Sequence, residues 1–333
     1  MEELISSFAA WDTNPATQPL HEAMRAECAS PSAVTKEAFS SRLEFGTAGL
    51  RGPMGCGLRC MNEVTVMQAA QGLVAHLLVA FPDAPSRGLV VGWDHRAQGG
   101  LTSRRFALLT AAVCAARGVR CHLFSALVAT PMVPFAILRL GAAAGVMVTA
   151  SHNPKEDNGY KVYWANGAQI ISPVDKAIAA AIAANAAPWD RAAYGAALDG
   201  GAGEAALLAR CALDPLTDIL PAYLSTITSA LCRNAAGNSS GEPRPGITYT
   251  AMHGVGLPFA QAAFKAFNLP PFTLVERQVQ PDPDFSTVAV SAFWATAFSP
   301  LPAFLNHAHS SLSFSLLSLS LSLSPFPFPM LCP

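Results

Sequence analysis

Residues 148–161 have the sequence VTASHNPKEDNGYK. This string begins in the apolar run 144–149 and becomes polar from Ser151 onward. The apolar run predicts a buried strand, and the polar stretch after it predicts an exposed loop. Ligands of α/β folds bind at the carboxyl ends of the strands, where this loop would lie. Ser151 in this loop is therefore the candidate nucleophile of the chain.

The segments around this loop alternate between helical and strand patterns. Short apolar runs bounded by Gly or polar residues predict strands at 88–93, 119–124 and 144–149. Longer apolar-periodic segments predict helices near 62–81, 102–117 and 131–140. This alternation predicts an α/β fold with a mixed, mainly parallel sheet flanked by helices. Ahead of it, residues 1–40 are expected to form helical arms.

The chain is long enough for more than one domain. We expect a first domain over residues 1–190 and an incomplete second α/β domain over 205–290, with a Gly- and Ala-rich linker at 189–204 between them. The second unit is predicted to contain a strand at 247–250, a turn, a helix at 257–267 and a strand at 272–275. A polar, proline-bearing surface loop is expected at 233–246.

The last stretch of the chain differs in composition from the rest. No Asp, Glu, Lys or Arg follows Asp284, and residues 311–333 are a Ser/Leu/Phe/Pro tract. Serine at about every second position is unfavourable for a membrane helix, which needs roughly 20 mostly apolar residues. We expect residues 291–333 to be a low-complexity tail outside the fold; a disordered extension and a membrane anchor remain as alternatives.

Composition limits the classes of partner. The net charge is −1 and the pI is about 6.7, so no electrostatic footprint for nucleic acid or an anionic membrane is present. Eight cysteines occur singly, without the paired spacing of a zinc site. The amino terminus lacks the basic start and apolar core of a secretory signal, which predicts a cytoplasmic location. Small molecules are the expected partners.

The loop at 148–161 carries the residue types that nucleophilic chemistry requires. A serine hydroxyl is weak at neutral pH, and His152 and Lys161 are the neighbours that could move protons or balance charge. A phosphorylated Ser151 would carry about −1.5 to −2 charge, which His152, Lys155 and Lys161 would only partly offset. The alternative is a capping loop in which Ser151 and Asn153 bond local backbone only.

A second segment, FGTAGLRG at residues 45–52, places three glycines around Thr47 and Arg51. Such a string is typical of a loop that brings backbone N–H groups close to phosphate, and Arg51 adds a planar fork of donors for phosphoryl oxygens. A turn with a surface arginine is the alternative for this string taken alone.

Five strings together resemble the α-D-phosphohexomutase superfamily. They are FGTAGLRG, GWDHRAQG at 92–99, Thr130–Pro131, TASHNPKEDNGYKVYWANGAQI at 149–170 and TAMHGVG at 250–256. The resemblance covers about residues 43–288. The segment KEDNGYKVYWANGAQI favours the branch of phosphoglucomutase-2 and phosphopentomutase over the bacterial phosphomannomutases.

The resemblance implies roles for individual residues. Ser151 would carry the phosphoryl group, Arg51 and Lys161 would assist proton transfer and stabilise charge, and His152 would position the transferring group. The residues implied for holding phosphate are Thr47, Gly49, Arg51, Asn153 and Lys161. Asp94, His95 and Arg96 would form a supporting shell, or else an ordinary strand-end salt bridge, and the role of His253 stays open. The implied cofactors are Mg²⁺ and a sugar 1,6-bisphosphate activator, and the implied partners are sugar monophosphates.

The family binds Mg²⁺ through the serine phosphate and three aspartates in a DxDxDR loop, and the sequence lacks that loop. The nearest string, QPDPDFS at 280–286, contains only Asp282 and Asp284 and predicts a Pro-rich loop. Two hypotheses follow. The chain is a mutase that interconverts the 1-phosphate and the 6- or 5-phosphate of glucose, ribose or deoxyribose. Alternatively, it is the amino-terminal half of such an enzyme, a catalytically incomplete fragment or pseudoenzyme with negligible turnover.

Overall fold

The computed structural model describes residues 33–46, 49–235, 237–238 and 246–288. The predicted helical arms before residue 33, Thr47, and the predicted tail at 291–333 lie outside the described residues. A short helix, α1 (Ala33–Ala38), begins the described chain.

A six-stranded sheet with the order β1-β7-β6-β2-β5-β8 forms the centre of the fold. The strands are β1 (Gly49–Pro53), β2 (Leu89–Trp93), β5 (Cys121–Leu123), β6 (Ala144–Val148), β7 (Asp157–Trp164) and β8 (Ala212–Leu213), and the short hairpin strands β3 (Ala97–Gln98) and β4 (Leu101–Thr102) lie outside the sheet. Strands β6, β2, β5 and β8 are parallel neighbours, whereas β7 runs antiparallel to both β6 and β1. The predicted mixed, mainly parallel α/β class is confirmed.

Helices cover both faces of this sheet. They are α2 (Glu63–Ala80), α3 (Ala84–Arg87), α4 (Ser103–Ala116), α5 (Met132–Leu140), α6 (Val174–Ala184), α7 (Arg191–Leu198), α8 (Ala202–Arg210) and α9 (Leu216–Leu231). Because side chains alternate along a strand, Val91 of β2 joins the core on the α2 and α4 face, and Val90 joins a second core with α5 on the opposite face. The result is an α/β/α sandwich.

Helix α2 begins where the sequence predicts. Its cap residue Asn62 accepts a hydrogen bond from the backbone N–H of Thr65, and the Thr65 hydroxyl accepts one from the Asn62 N–H. This reciprocal cap satisfies two donors that a helix start leaves open. Helix α2 is also long and apolar enough to cross a membrane, but 72% of it is buried within the protein, as expected of a core helix.

A glycine allows α2 to pack closely against α6. A Cβ on Gly72 would lie 2.6 Å from the Cα of Ile182, a backbone atom that no side-chain rotation can move away. We therefore expect Gly72→Val to lower the free energy of unfolding by about 1–3 kcal/mol, the usual effect of overpacking. Denaturant titration would measure it. The control is Ala80→Val at an exposed position of the same helix, and equal midpoints for the two variants would contradict the prediction.

The predicted linker at 189–204 is wrong. Most of that segment is helical, because α7 occupies Arg191–Leu198 and α8 begins at Ala202. Tyr194, Ala197 and Leu198 are buried in the first core, where α7 packs against α4. The chain then adds β8 to the edge of the same sheet, beside β5. The Gly- and Ala-rich composition of this segment suggests a linker, but alanine is also the strongest helix former.

A small second unit follows residue 246 in the βαβ order that the sequence predicts. Strand β9 (Thr248–Tyr249) and strand β10 (Thr273–Leu274) pair in parallel, and helix α10 (Leu257–Ala266) connects them. Helix α10 packs against α9. Residues 280–286 form a loop after a single 3₁₀ turn at Glu276–Gln278, as predicted for QPDPDFS.

Candidate functional site

Ser151 lies on the loop that joins β6 to β7, at the carboxyl end of the parallel strands. Its side chain is exposed and its backbone is in the left-handed region, with φ of 58°. Non-glycine residues rarely adopt this conformation, and it recurs at functional sites. The Ser151 N–H donates to the Thr149 hydroxyl at 3.0 Å, and the Asn153 N–H donates to the carbonyl of Ala150 at 3.1 Å. These bonds form a tight turn that presents the Ser151 hydroxyl to solvent.

The buried guanidinium of Arg96 binds the backbone of this loop on its inner side. It donates hydrogen bonds of 2.7–2.9 Å to four backbone carbonyls, those of Ser151, Asn153, Pro154 and Asp157. Arg96 is only 1% exposed. A fixed planar fork of donors is suited to this task, because an arginine can satisfy several carbonyl acceptors at once. The path of the whole loop therefore depends on one buried side chain.

Asp94 positions Arg96 from the end of β2. One carboxylate oxygen of Asp94 accepts hydrogen bonds from the Ser103 hydroxyl at 2.6 Å and from the Arg96 N–H at 3.1 Å, and the other lies 3.6 Å from Arg96 Nε. Burial lowers the pKa of Arg96, and the Asp94 charge acts in the opposite direction. The strand-end ion pair and the contacts to the loop, which the sequence leaves as alternatives, occur together in this geometry.

Arg51 approaches the loop from the neighbouring edge strand. Its Nη1 donates to Asn153 Oδ1 at 2.9 Å, and Asn153 Nδ2 donates in turn to Asp157 Oδ2 at 2.8 Å. Arg51 pairs with Gly159 across β1 and β7. A Cβ on Gly159 would lie 2.5 Å from the Thr149 carbonyl oxygen, so a glycine is required where the strands meet below the loop. Arg51 is exposed, so donors remain available for a ligand.

The second half of FGTAGLRG is not the loop that the sequence suggests. Residues Gly49–Pro53 form edge strand β1, whose backbone pairs with β7. The N–H of Gly49 donates to the carbonyl of Gly46 at 2.9 Å, so this amide is already engaged. Gly49 has φ of 100°, and its Cβ would collide with the Tyr160 carbonyl. The glycine serves close packing here, and the phosphate-binding expectation for Gly49 stays a prediction.

The side chains near Ser151 form a cationic surface. Burial lowers the pKa of His152, and the charges of Arg51, Lys161 and Arg96 lower it further. Burial also lowers the pKa of Lys161 to about 8, with additional contributions from Arg51 and Arg96. Mutual repulsion of this kind is relieved when an anion binds close to these groups.

The lowered pKa of Lys161 predicts a pH dependence of stability. The folded protein holds this amine at a pKa of about 8, below its ordinary value of 10.5. Between these values the unfolded chain binds more protons, so the free energy of unfolding should rise as pH increases from about 8 to about 10.5. Lys161→Met should remove this component of the rise, as measured by denaturant titration at several pH values. The exposed lysine variant Lys176→Met is the control, and the same slope in both variants would contradict the assignment.

The second unit contacts the Ser151 loop and the residues that support it, in part through Phe285, which no motif of the sequence indicates. The ring of Phe285 lies 5.2 Å from that of His95 and 5.3 Å from the Arg96 guanidinium, and Lys155 Nζ lies 3.5 Å from Asp284 Oδ1. His253 supports the loop at residues 280–286 of the second unit. It is buried, and its ring nitrogens hydrogen-bond the Gln280 carbonyl and the Thr287 hydroxyl. It is therefore a structural turn histidine.

The described residues do not fit a Mg²⁺ site. No group of three or more His, Cys, Asp or Glu side chains that could hold a metal occurs in the described part of the chain. Asp94 is engaged by Ser103 and Arg96, and Asp282 accepts hydrogen bonds from the backbone of Asp284 and Ser286. Mg²⁺ requires several oxygen ligands around one position, and these carboxylates do not supply them.

Comparisons with known proteins agree with this fold. Residues 42–188 match the phosphoglucomutase/phosphomannomutase α/β/α domain I. The phosphopentomutase of Mus musculus is 41% identical over 291 residues, which are 86% of this chain and 45% of that protein. The glucose 1,6-bisphosphate synthase of Homo sapiens is 41% identical over 295 residues, 86% of this chain and 44% of that protein. The chain spans about half the length of the curated relatives that it matches.

A crystal structure described as a phosphomannomutase of Thermus thermophilus superimposes with a TM-score of 0.56 at 28% sequence identity, covering 74% of this chain and 48% of that one. The fold and these relatives place residues 42–188 in the class of α/β/α domains found in phosphoglucomutases and phosphomannomutases. Through residues 42–188, the chain belongs to the phosphoglucomutase/phosphomannomutase family.

Proposed function

We propose that this chain provides the phosphoserine loop of a sugar-phosphate mutase, with Ser151 as the residue that carries the phosphoryl group. The single observation that supports this most strongly is the Ser151 turn. An exposed hydroxyl is presented in a left-handed conformation at the carboxyl end of a parallel sheet, and a buried arginine fixes the loop beneath it.

The proposed reaction is a reversible phosphoryl transfer. The Ser151 oxygen attacks one phosphorus of a sugar 1,6-bisphosphate, the bond between that phosphorus and the sugar oxygen breaks, and the sugar oxygen regains a proton. In the reverse direction the phosphoserine donates its group to a hydroxyl of a sugar monophosphate. Catalysis of such a transfer is mainly positioning and electrostatic stabilisation.

The roles of the neighbouring residues follow from their geometry and charge. Lys161, whose pKa is lowered to about 8, is partly neutral near neutral pH and can exchange the proton of the reacting hydroxyl. Arg51 can bind phosphoryl oxygens with donors that Asn153 does not use. Burial and the nearby cations lower the pKa of His152, which favours a neutral imidazole that hydrogen-bonds the transferring group.

The substrates that we propose are pentose and hexose phosphates. The relatives at about 40% identity include proteins named phosphopentomutase, phosphoribomutase and glucose 1,6-bisphosphate synthase. We therefore propose ribose 1-phosphate and glucose 1-phosphate as substrates and a sugar 1,6-bisphosphate as activator. Mg²⁺ would supply counter-charge to the transferring group. The described residues of this chain do not form a site that fits it.

The absence of a metal site among the described carboxylates favours a second candidate function. In it, the chain takes up a phosphoryl group on Ser151 without completing the mutase cycle, or only binds phosphosugars. Uptake is a single phosphoryl transfer, so it can be detected after long incubation even when it is slow. Turnover needs repeated transfers in both directions, and loss of counter-charge on the transferring group raises the barrier of each by several kcal/mol.

The experiment compares uptake with turnover on the full chain. Purified protein is incubated with glucose 1,6-bisphosphate and Mg²⁺, and intact mass and peptide mapping report phosphorylation at Ser151. Coupled assays then measure conversion of ribose 1-phosphate and glucose 1-phosphate. Uptake with conversion supports the mutase, and uptake without conversion supports the second candidate. A folded chain that shows neither would overturn the proposal.

A further inference from the structure

The thiols of three cysteines meet at the amino-terminal end of β5, away from the Ser151 loop. Cys121 begins β5, Cys114 lies on α4, and Cys211 directly precedes β8. The Cys121 thiol lies close enough to the thiols of Cys114 and Cys211 to affect its ionisation. Cys114 and Cys121 are buried, whereas Cys211 is partly exposed. One thiol of the cluster is therefore within reach of solutes, and it contacts a buried thiol.

The strand register places Cys121 and Cys211 opposite each other. In the parallel pair β5 and β8, His122 pairs with Ala212 and Leu123 with Leu213. The residues that precede these pairs, Cys121 and Cys211, are therefore opposite each other on the two neighbouring strands. Neighbouring strands lie about 4.8 Å apart. A disulfide requires Cα atoms about 4.4–6.8 Å apart. The backbone therefore needs no large movement for these two sulfurs to join.

A surface cavity gives access to this pair. It has a volume of about 310 Å³, and its lining includes Cys121, Cys211, Arg120 and Arg210. The Arg210 guanidinium is held in place by a hydrogen bond of 2.9 Å from Nη2 to the Ala115 carbonyl. Arginines that line a cavity together with a thiol provide the electropositive surroundings in which thiolates form.

We propose that Cys211 and Cys121 are a redox-active thiol pair, in which Cys211 is the attacking thiolate and Cys121 the resolving thiol. The oxidant class is a hydroperoxide. The Cys211 thiolate attacks the terminal peroxide oxygen, the O–O bond breaks, and after proton uptake Cys211 is a sulfenic acid and the peroxide is an alcohol or water. The Cys121 sulfur then attacks the Cys211 sulfur, the S–O bond breaks, and hydroxide leaves with the Cys121 proton as water.

The electrostatics of the cluster agree with this assignment of roles. The hydrogen bond from Cys121 lowers the pKa of Cys211, the Arg210 charge lowers it further, and burial opposes both. The same hydrogen bonds, together with burial, raise the pKa of Cys121. Of the two thiols, the exposed one is therefore also the one that ionises more readily.

Cys60 is the matched control thiol. It is partly exposed like Cys211, but burial raises its pKa. Because thiolate fraction governs reactivity, we expect Cys211 to react with hydrogen peroxide at least about 10-fold faster than Cys60.

The test uses the full chain, first reduced and then exposed to a small excess of hydrogen peroxide. Remaining thiols are blocked with N-ethylmaleimide, and non-reducing peptide mapping identifies linked peptides. We expect a Cys121–Cys211 link that dithiothreitol reverses, that Cys211→Ser abolishes and that Cys60→Ser retains. Three results would each overturn the proposal: no linked peptide, a Cys114–Cys121 link that persists in Cys211→Ser, or equal peroxide reactivity of Cys211 and Cys60. The reactivity comparison uses the unmodified protein, so it does not depend on variant folding.

Discussion

Ser151→Ala is expected to abolish phosphoryl uptake from glucose 1,6-bisphosphate and any mutase turnover. The variant removes the oxygen that we propose as the phosphoryl acceptor, and the neighbouring Thr149 is buried, with its hydroxyl engaged by the backbone N–H of residue 151. The effect should be a complete loss, because a nucleophile has no partial substitute in its own step. Intact-mass measurement after incubation with the bisphosphate reports uptake directly.

A second variant separates loss of the hydroxyl from damage to the loop. Ser151→Gly also lacks the hydroxyl, but glycine adopts φ of 58° without strain. We expect both variants to lose uptake, while Ser151→Gly is at least as stable as Ser151→Ala. Ser86→Ala, at an exposed serine remote from the loop, should retain uptake. Phosphoryl uptake by Ser151→Gly would place the acceptor elsewhere.

Arg96→Met is expected to lower the free energy of unfolding by about 3–5 kcal/mol, the range for breaking a buried ion pair by removing one partner. The substitution removes hydrogen bonds to the carbonyls of Ser151, Asn153, Pro154 and Asp157. It also leaves the Asp94 carboxylate, which is 6% exposed, without its cation. Thermal or denaturant unfolding measures the loss, and limited proteolysis within residues 151–157 should accelerate.

The matched control for Arg96→Met is Arg59→Met. Arg59 pairs with Glu37 at 3.4 Å, but its side chain is 51% exposed. Exposed pairs contribute about 0–1 kcal/mol, so this variant should differ little from the parent chain. Arg96→Lys restores the charge without the planar fork, and we expect stability between those of the parent and Arg96→Met. A loss below 1 kcal/mol for Arg96→Met would show that the loop is held by other contacts.

Much of the sheet could be predicted from the sequence because three of its parallel strands, β2, β5 and β6, are buried on both faces. Apolar runs mark β2, β5 and β6 within a few residues of their ends. The sequence does not predict β1 and β7 as strands, because their glycines and charged residues suggest loops. Both lie on the antiparallel side of the sheet, where polar side chains point toward the candidate site and mask the strand pattern.

The candidate site combines contacts between residues that are close together in the sequence with contacts between residues that are far apart in it, and only the first kind could be predicted from a single string. The loop around Ser151 is contained in one short string, so its residues could be singled out directly. The contact of Phe285 with Arg96 joins residues far apart in the chain, and no periodicity or motif indicates it. Asn153 and Asp157 are only four residues apart, so their spacing is a local signal for the hydrogen bond between their side chains.

The arginine beneath the loop also bears on the thermodynamics of ligand binding. Ordering one residue of backbone loses conformational entropy equivalent to about 1–2 kcal/mol. Because Arg96 holds the carbonyls between Ser151 and Asp157 in the free protein, this loss belongs to folding and not to association. The phosphorylated ligand that we propose would therefore meet a loop whose backbone is already ordered, and little of its intrinsic affinity would be offset by ordering the loop.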